Sequence, residues 1–485
     1  MWRRAIGLLT CALPLWASLA AQYGPLERVV YPDDLRDDLA IMRQTLEQAH
    51  PDPYRYRVKT ELDMLFDAIA ASMDTPMTAE GFIRAGLPVL KAIGDAGTNL
   101  EPPLGVQDLY AHTVPLIPIT VRVIGGRLYL DEELKGFRSL PTACEVVRVN
   151  GRPAAEILAL LRGAQVPEGA DTTLLDRRIE RNFPAMYHRH VEAGNKFEVD
   201  YRTTDGTRGT QDVFAMTMDE MRQVYKPKGI DLQAWRMEEL PDIRCAWLTL
   251  SSFEEADLAA QRINPERFLN SVMGALRKSG ATSLVIDVRG AHGQDPGMAE
   301  QVFGLIAQRT YRVLQSMSIR SGRVPDSYRY AVPAPEFFAS VDGMYMPEAN
   351  GRRVLKAEDP RLKPLKPLEK AFGGKVYVLC DGMTTGAAAA FVMLAKRTGR
   401  ARTVGEETGS NASSFCGGRT IEVTLPHTGC VLRVPLTRFV PEGSPEGAAN
   451  RGEMPSYVVP QRAVDLAHGK DSVRDALLRL IEEMQ

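Results

Sequence analysis

The run Lys375-Val-Tyr-Val-Leu-Cys-Asp-Gly-Met-Thr-Thr-Gly-Ala-Ala-Ala-Ala-Phe-Val-Met-Leu-Ala-Lys396 constrains the fold more than any other part of the chain. Val376 to Leu379 is short, apolar and rich in β-branched residues, the pattern of a buried strand. Asp381-Gly382 is a turn signal. Ala387 to Lys396 favours helix strongly and is apolar nearly all round, so it reads as a buried helix. Strand, sharp turn and helix in this order form a place where many hydrolases hold a nucleophile. The first helical turn there offers free N–H groups and the positive end of the helix dipole. The turn carries Met383, Thr384, Thr385 and Gly386, and these four include no serine, cysteine or acid.

A chain of 485 residues has room for two or three domains with real cores. Its 59 basic and 61 acidic residues nearly balance, which argues against nucleic acid or an acidic partner. Hydrophobic content of 44% is that of a soluble globular protein. The first 21 residues have a basic start at Trp2-Arg3-Arg4, an apolar run from Ala5 to Leu15 and then small residues. That is the pattern of a secretory signal cleaved near Ala20 or Ala21, so a secreted or periplasmic protein is expected. The apolar run is too short to span a membrane, no later stretch is long enough, and Cys11 leaves with the signal. Five cysteines remain: Cys144, Cys245, Cys380, Cys416 and Cys430. An odd number fits no complete disulfide framework, and only Cys416 and Cys430 are candidates to pair. Small buried residues are the plainer expectation for all five.

Three regions follow the signal. Residues 22–105 read as helical, with Leu35, Leu39, Met42 and Leu46 on one face, and Leu62, Phe66, Ile69 and Met73 on another. A third helix is expected from Thr78 to Ile93, ending at Gly94-Asp95-Ala96-Gly97-Thr98. Residues 106–228 read as a small β-rich module. Its signals are a hairpin around Gly125-Gly126, a strand and turn in Glu145-Val-Val-Arg-Val-Asn-Gly151, a short helix from Ala154, and a strand from Phe197. Residues 229–485 alternate strand and helix: Cys245–Leu250, Pro265–Lys278, Ser283–Val288, the organising stretch and Ala401–Val404. A hairpin from Ile421 to Leu436 follows, turned by Pro426-His-Thr-Gly429, and then a last amphipathic helix after Asp471. Alternation of this kind implies a layered α/β core.

Together these segments resemble the tail-specific, or C-terminal processing, serine peptidases and the related tricorn core. The resemblance rests on the loop Gly94-Asp95-Ala96-Gly97-Thr98, on Glu145-Val-Val-Arg-Val-Asn-Gly-Arg152, and on Leu284-Val-Ile-Asp-Val-Arg-Gly290. It is completed by Val376–Phe391 and Val404-Gly-Glu-Glu-Thr-Gly409. It implies an α/β fold with a ClpP/crotonase-like ββα-superhelix core, an N-terminal helical domain and a small PDZ-like module. It also implies a peptide or protein C-terminus as partner. In that family the first loop usually carries a base histidine, and that slot is Gly97. The nucleophile turn usually carries serine, and that slot is Gly386. The lysine slot of the other catalytic type falls near Asn411. The terminal loop, which usually supplies an acid, reads Ala449-Asn-Arg-Gly-Glu-Met-Pro-Ser456. A hydroxyl needs an adjacent base to become a nucleophile. With all three slots vacant, the resemblance implies a family member that binds without cleaving. An active serine peptidase with a rearranged site is the alternative. Acyl-thioester chemistry on the same core is a further one, although no CoA site can be read.

Other side chains have two readings each. Thr384 and Thr385 are substitute nucleophiles or a cap for the following helix. His292 is a base or a surface-loop histidine. Asp95 orients a site group or simply forms a turn. Arg289 holds a carboxylate or makes a structural ion pair. Ser413 and Ser414 read as solvated loop residues. His188 and His190 lack nearby acids or cysteines and make a poor metal site. No metal or cofactor is expected. The surviving binding candidates are the N–H groups of Gly290, Gly293 and Gly386, with Thr385 and Arg289 beside them.

Overall fold

The computed structural model describes residues 28–483 apart from 136–137, 226–232, 322–325, 327–330, 333–335, 342, 349–350 and 446–449. The expected signal and Cys11 lie outside the described residues. The chain begins with three helices, α1 (Pro32–Ala49), α2 (Lys59–Ser72) and α3 (Ala79–Ile93). The apolar faces expected for α1 and α2 are buried, Leu35 and Met42 fully so. Thr78 is the cap of α3 rather than its first residue, and its hydroxyl accepts the Gly81 N–H at 3.2 Å. Gly94 closes α3 in the left-handed region, φ +66°. These helices do not own a separate core. They bury their apolar faces against Ile421, Val423, Leu432 and Val434, far along the chain. The strand β1 (Asn99–Glu101) reinforces the join by pairing with Val431–Arg433.

Helix α4 (Leu104–His112) crosses the expected boundary at residue 105. The β-rich module follows, with strands β2 (Ile119–Ile124), β3 (Arg127–Glu133), β4 (Glu145–Val149), β5 (Lys196–Arg202) and β6 (Arg208–Phe214) in that order across one antiparallel sheet. Gly125 and Gly126 both take positive φ, as a two-residue hairpin turn requires. Two helices, α5 (Ala154–Gly163) and α6 (Thr173–His190), pack on the sheet. The 18-residue α6 is hard to see in sequence because it is rich in charge and contains Pro184. Its buried Ile179, Phe183 and Tyr187 nevertheless recur every four residues.

The core has four layers. The first sheet runs β7 (Trp235–Leu240), β8 (Cys245–Leu250), β9 (Ser283–Asp287), β11 (Lys375–Cys380), β12 (Arg402–Gly405) and β15 (Tyr457–Val458), parallel except for β7 against β8. The second, antiparallel sheet centres on β10 (Leu314–Ile319), β13 (Phe415–Thr424) and β14 (Val431–Pro441). Between them lie α7 (Pro265–Ser279), α8 (Gly297–Gly304) and α9 (Gly386–Arg397). The last helix, α10 (Ser472–Glu483), covers the outer face of the first sheet through Val473, Leu477 and Ile481. Ala387 to Ala395 of α9 are all buried, with β11 and β12 on one side and β13 and β14 on the other. This is the apolar-all-round pattern of the organising stretch realised in space.

Cys416 and Cys430 do not pair. Both lie on the β13–β14 hairpin, but Cys416 sits opposite Arg438 and Cys430 opposite Leu425 near the turn. Some nine residues of extended chain separate those levels, roughly 30 Å, far beyond disulfide reach. All five described cysteines are free thiols.

Phe391 anchors α9, fully buried with its ring centroid 6.1 Å from that of Phe253. Phe391→Ala is expected to lower stability by about 3–5 kcal/mol, read from the midpoint of urea denaturation. An effect under about 1 kcal/mol would show that α9 is not the packing centre.

Candidate functional site

The β11–α9 turn is pinned from within. Thr384 is fully buried. Its hydroxyl donates to the Val288 carbonyl at 2.9 Å and accepts the Asp381 N–H at 3.0 Å. It is therefore a clamp between the ends of β9 and β11, not a nucleophile. The Thr385 N–H donates to the Ala291 carbonyl and the Ala387 N–H to the Gly293 carbonyl, each at 2.9 Å. Gly386 has φ +57°, and a Cβ there would stand 2.0 Å from the Gly293 oxygen. The slot expected for a serine is thus closed to any side chain. Thr385 occupies the helix N-cap position without a side-chain cap bond. Its role is filled by Ser410, whose hydroxyl accepts the Gly386 N–H at 2.8 Å.

Two of the three vacant slots and most of the binding candidates converge. Gly97, His292, Gly293, Thr385 and Gly386 line one cavity of about 340 Å³. Ser410 lines it too, whereas Asn411 is fully buried and turns its amide to the Tyr56 hydroxyl at 2.8 Å. Gly97 differs from Gly386. It is exposed, and the nearest atom to an added Cβ is an Asp95 carboxylate oxygen at 3.4 Å, an ordinary distance.

Two binding candidates sit elsewhere. The Gly290 N–H donates to Asp381 at 2.9 Å. Arg289 holds both oxygens of Asp287, at 2.9 and 2.7 Å, and reaches Asp471 at 2.7 Å. It is the structural ion pair, tying β9 to the start of α10. The acid of the terminal loop, Glu453, is engaged by Lys396 at 2.7 Å and Arg397 at 2.8 Å.

The cavity floor is a buried polar cluster little visible in sequence. Asp95 accepts from His50 Nε2 at 2.9 Å, from the Thr98 hydroxyl at 2.6 Å and from the Gly97 N–H at 3.1 Å. Burial opposes its charge, but these donors outweigh it and hold the carboxyl below its usual range. Cys416 lies close by, with its sulfur, a His50 nitrogen and an Asp95 oxygen all within 4.8 Å of one another. The Asp52 N–H donates to His50 Nδ1 at 3.1 Å, so Nδ1 carries the lone pair and Nε2 the proton given to Asp95. The Nε2 lone pair that a metal ion would need is committed to that proton, so the trio is a hydrogen-bonded cluster rather than a metal centre. The Cys416 thiol is pushed well above its usual value by burial and by the charges of Asp95 and Glu168. It is a poor nucleophile.

Glu168 completes the floor, 4% exposed, accepting the Ala96 N–H at 3.1 Å. Arg55 stands 3.5 Å away, yet burial and the Asp95 charge prevail and raise the carboxyl to about 8. Arg178 is tied to the Ala96 and Val166 carbonyls. Ser413 and Ser414 are buried, against expectation. Ser413 is held by Arg55 and Asn411, because this loop is folded beneath the cavity rather than over it. His292 is 43% exposed on the cavity rim, 3.3 Å from Asp257. His188 and His190 lie remote from the cavity, and His190 is lowered to about 4 by burial and by Arg189 and Arg84.

Residues 244–446 match the model of peptidase family S41. No curated protein matches the chain. Its fold is similar to that of mature CPAF, at 13% identity over 93% of this chain and 96% of that one, with a TM-score of 0.65. It is also similar to mature CPAF complexed with lactacystin, at 12% identity over 93% and 98%, with a TM-score of 0.67. At these identities the likeness is one of fold.

The raised Glu168 carboxyl has a defined pH signature. The folded protein keeps a proton that the unfolded chain releases near 4.5, so stability falls as pH rises from there to about 8. The slope is at most about 1.4 kcal/mol per pH unit. Glu168→Gln removes this part. The stability of the variant relative to wild type is expected to rise steadily between pH 5 and pH 8 in thermal or urea denaturation. A difference independent of pH would show that Glu168 is ionised in the fold.

Proposed function

The chain belongs to peptidase family S41 through its core, residues 244–446, and from that premise we propose that it is a non-catalytic member that binds polypeptide. The observation that carries this reading is Gly386, where the Gly293 carbonyl occupies the space a nucleophile's side chain would need. The neighbouring candidates support it. Thr384 is a buried clamp, Cys416 a depressed nucleophile, and Gly97 carries no base. The N–H groups of Gly290 and Gly386 are spent on Asp381 and Ser410. Of the cavity's donors, the Gly386 N–H is thus already bonded, and a C-terminal carboxylate entering it would face the charge of Asp95.

Strand addition to the β module is a second route of attachment, and β6 is the open edge. At the other edge, β2, the Val123 N–H is taken by Glu180 at 2.6 Å and the Val123 carbonyl by Arg177 at 2.9 Å. The protein acts after export, a role that rests on the basic, apolar and small-residue pattern of its first 21 residues. Mass spectrometry of the exported form should find a mature start after Ala20 or Ala21.

One observation favours a rearranged hydrolase as the second reading: His292, beside Asp257, shares the cavity with Thr385 and Ser410. Treatment with a serine-reactive fluorophosphonate and assay on unfolded casein separate the two. The expected result is no labelling and no cleavage above buffer. Gly386→Ser should not introduce activity and should destabilise the fold by at least about 2 kcal/mol, since a left-handed residue would gain a clashing Cβ. Gly97→His should change stability by less than about 0.5 kcal/mol. A single labelled Thr or Ser, lost in His292→Ala, would establish the hydrolase instead.

A further inference from the structure

Beyond Gln294 the cavity continues into a second, larger one of about 720 Å³. Gln294 lines both, and its carbonyl accepts the Gly418 N–H at 3.0 Å, where β13 bulges between Gly417 and Thr420. The two spaces are therefore neighbouring compartments of one groove, divided by a backbone contact.

The floor of the second compartment is apolar. Leu314, Met317, Val341 and Phe439 line it and are themselves buried. Four carboxylates stand around that floor: Glu254, Glu255, Asp295 and Glu300. None of them forms an ion pair with a cation among the described residues. Glu254 accepts the Gln294 N–H at 2.9 Å and Asp295 the Gly297 N–H at 2.8 Å, both neutral donors. Arg361 also lines the space and attracts Asp295 at longer range, but its hydrogen bonds go to both oxygens of Asp359, each at 2.8 Å. Arg419 is the other cation of the lining and is exposed on the bulge. Glu300 is raised to about 7 by burial and by Asp295, the behaviour of a carboxyl that lacks a positive partner.

A ligand group suited to this compartment has a long apolar stem for the floor and a positive head for the carboxylates. A purely aliphatic side chain would fill the floor and leave the acids unpaired. An acidic one would be repelled. We propose that the second compartment seats an arginine or lysine side chain of the polypeptide whose backbone occupies the central cavity. The inference rests on the peptide-binding reading above and adds a specificity to it: the protein selects segments with a basic residue.

Fluorescence anisotropy with two labelled short-peptide libraries tests this. Both are randomised at all positions but one, which is arginine in the first and its neutral isostere citrulline in the second. The expected result is binding of both, with the arginine library roughly tenfold tighter. In Asp295→Asn/Glu300→Gln the preference should vanish while the affinity for the citrulline library is kept. Equal affinities of the wild-type protein for both libraries would overturn the specificity and leave peptide binding standing. Failure of the wild-type protein to bind either library would overturn the peptide-binding reading itself, and this inference with it.

Discussion

The hydrogen bond from the Ala387 N–H to the Gly293 carbonyl, with Gly386 pressed against the same oxygen, is the contact on which the rest of this site depends. It joins the start of α9 to the loop after β9, so the two middle strands of the parallel sheet end in one locked unit. Thr384 adds a second tie between the same segments. The first turn of a helix normally exposes N–H groups to a ligand. Here Gly293 and Ser410 take two of them. A helix end of the kind that could polarise a carbonyl has been turned into a structural joint, and the glycine at its head is required by the closeness of that joint.

Around this joint the cavity is assembled from parts distant in sequence. The N-terminal loop brings Asp95 and Gly97, the segment between α5 and α6 brings Glu168, and β13 brings Cys416. Polar groups so deeply buried are tolerated only when partnered. Asp95 is matched by His50 and Thr98, and Glu168 by the Ala96 N–H and Arg55. These bonds run between regions, as does the pairing of β1 with β14. The three regions therefore share one polar centre and, in the N-terminal part, a shared apolar core. They are not beads on a string.

Much of the fold was legible in the sequence because its signal is local. The faces of α1 and α2, the buried strands β8, β9 and β11, the helix α9 and the paired-glycine hairpin all follow from the spacing of apolar and turn residues. Helix α6 escaped because its charges and Pro184 mask a three-residue apolar stripe. The site was legible in part. Gly97, Gly293, Thr385 and Gly386, singled out by the family-like spacing, line one cavity. Asn411 is buried against Tyr56, and its neighbour Ser410 lines the cavity. The spacing gave no hint of His50, Glu168 or the carboxylates near Gln294, which carry no motif and acquire meaning only from their neighbours.

The sequence by itself determined the strands and helices with a clear apolar period, and that the turn before α9 holds no serine, because both depend on residue identity and short-range periodicity. Only the tertiary structure decided that the Gly386 slot is closed while the Gly97 slot is open. It alone decided that Arg289 ties two secondary elements together instead of facing a ligand, and that a buried acid keeps its proton near neutral pH. Each of these turns on a distance between atoms far apart in the chain. Such distances are set by how the layers pack, and no local pattern encodes them.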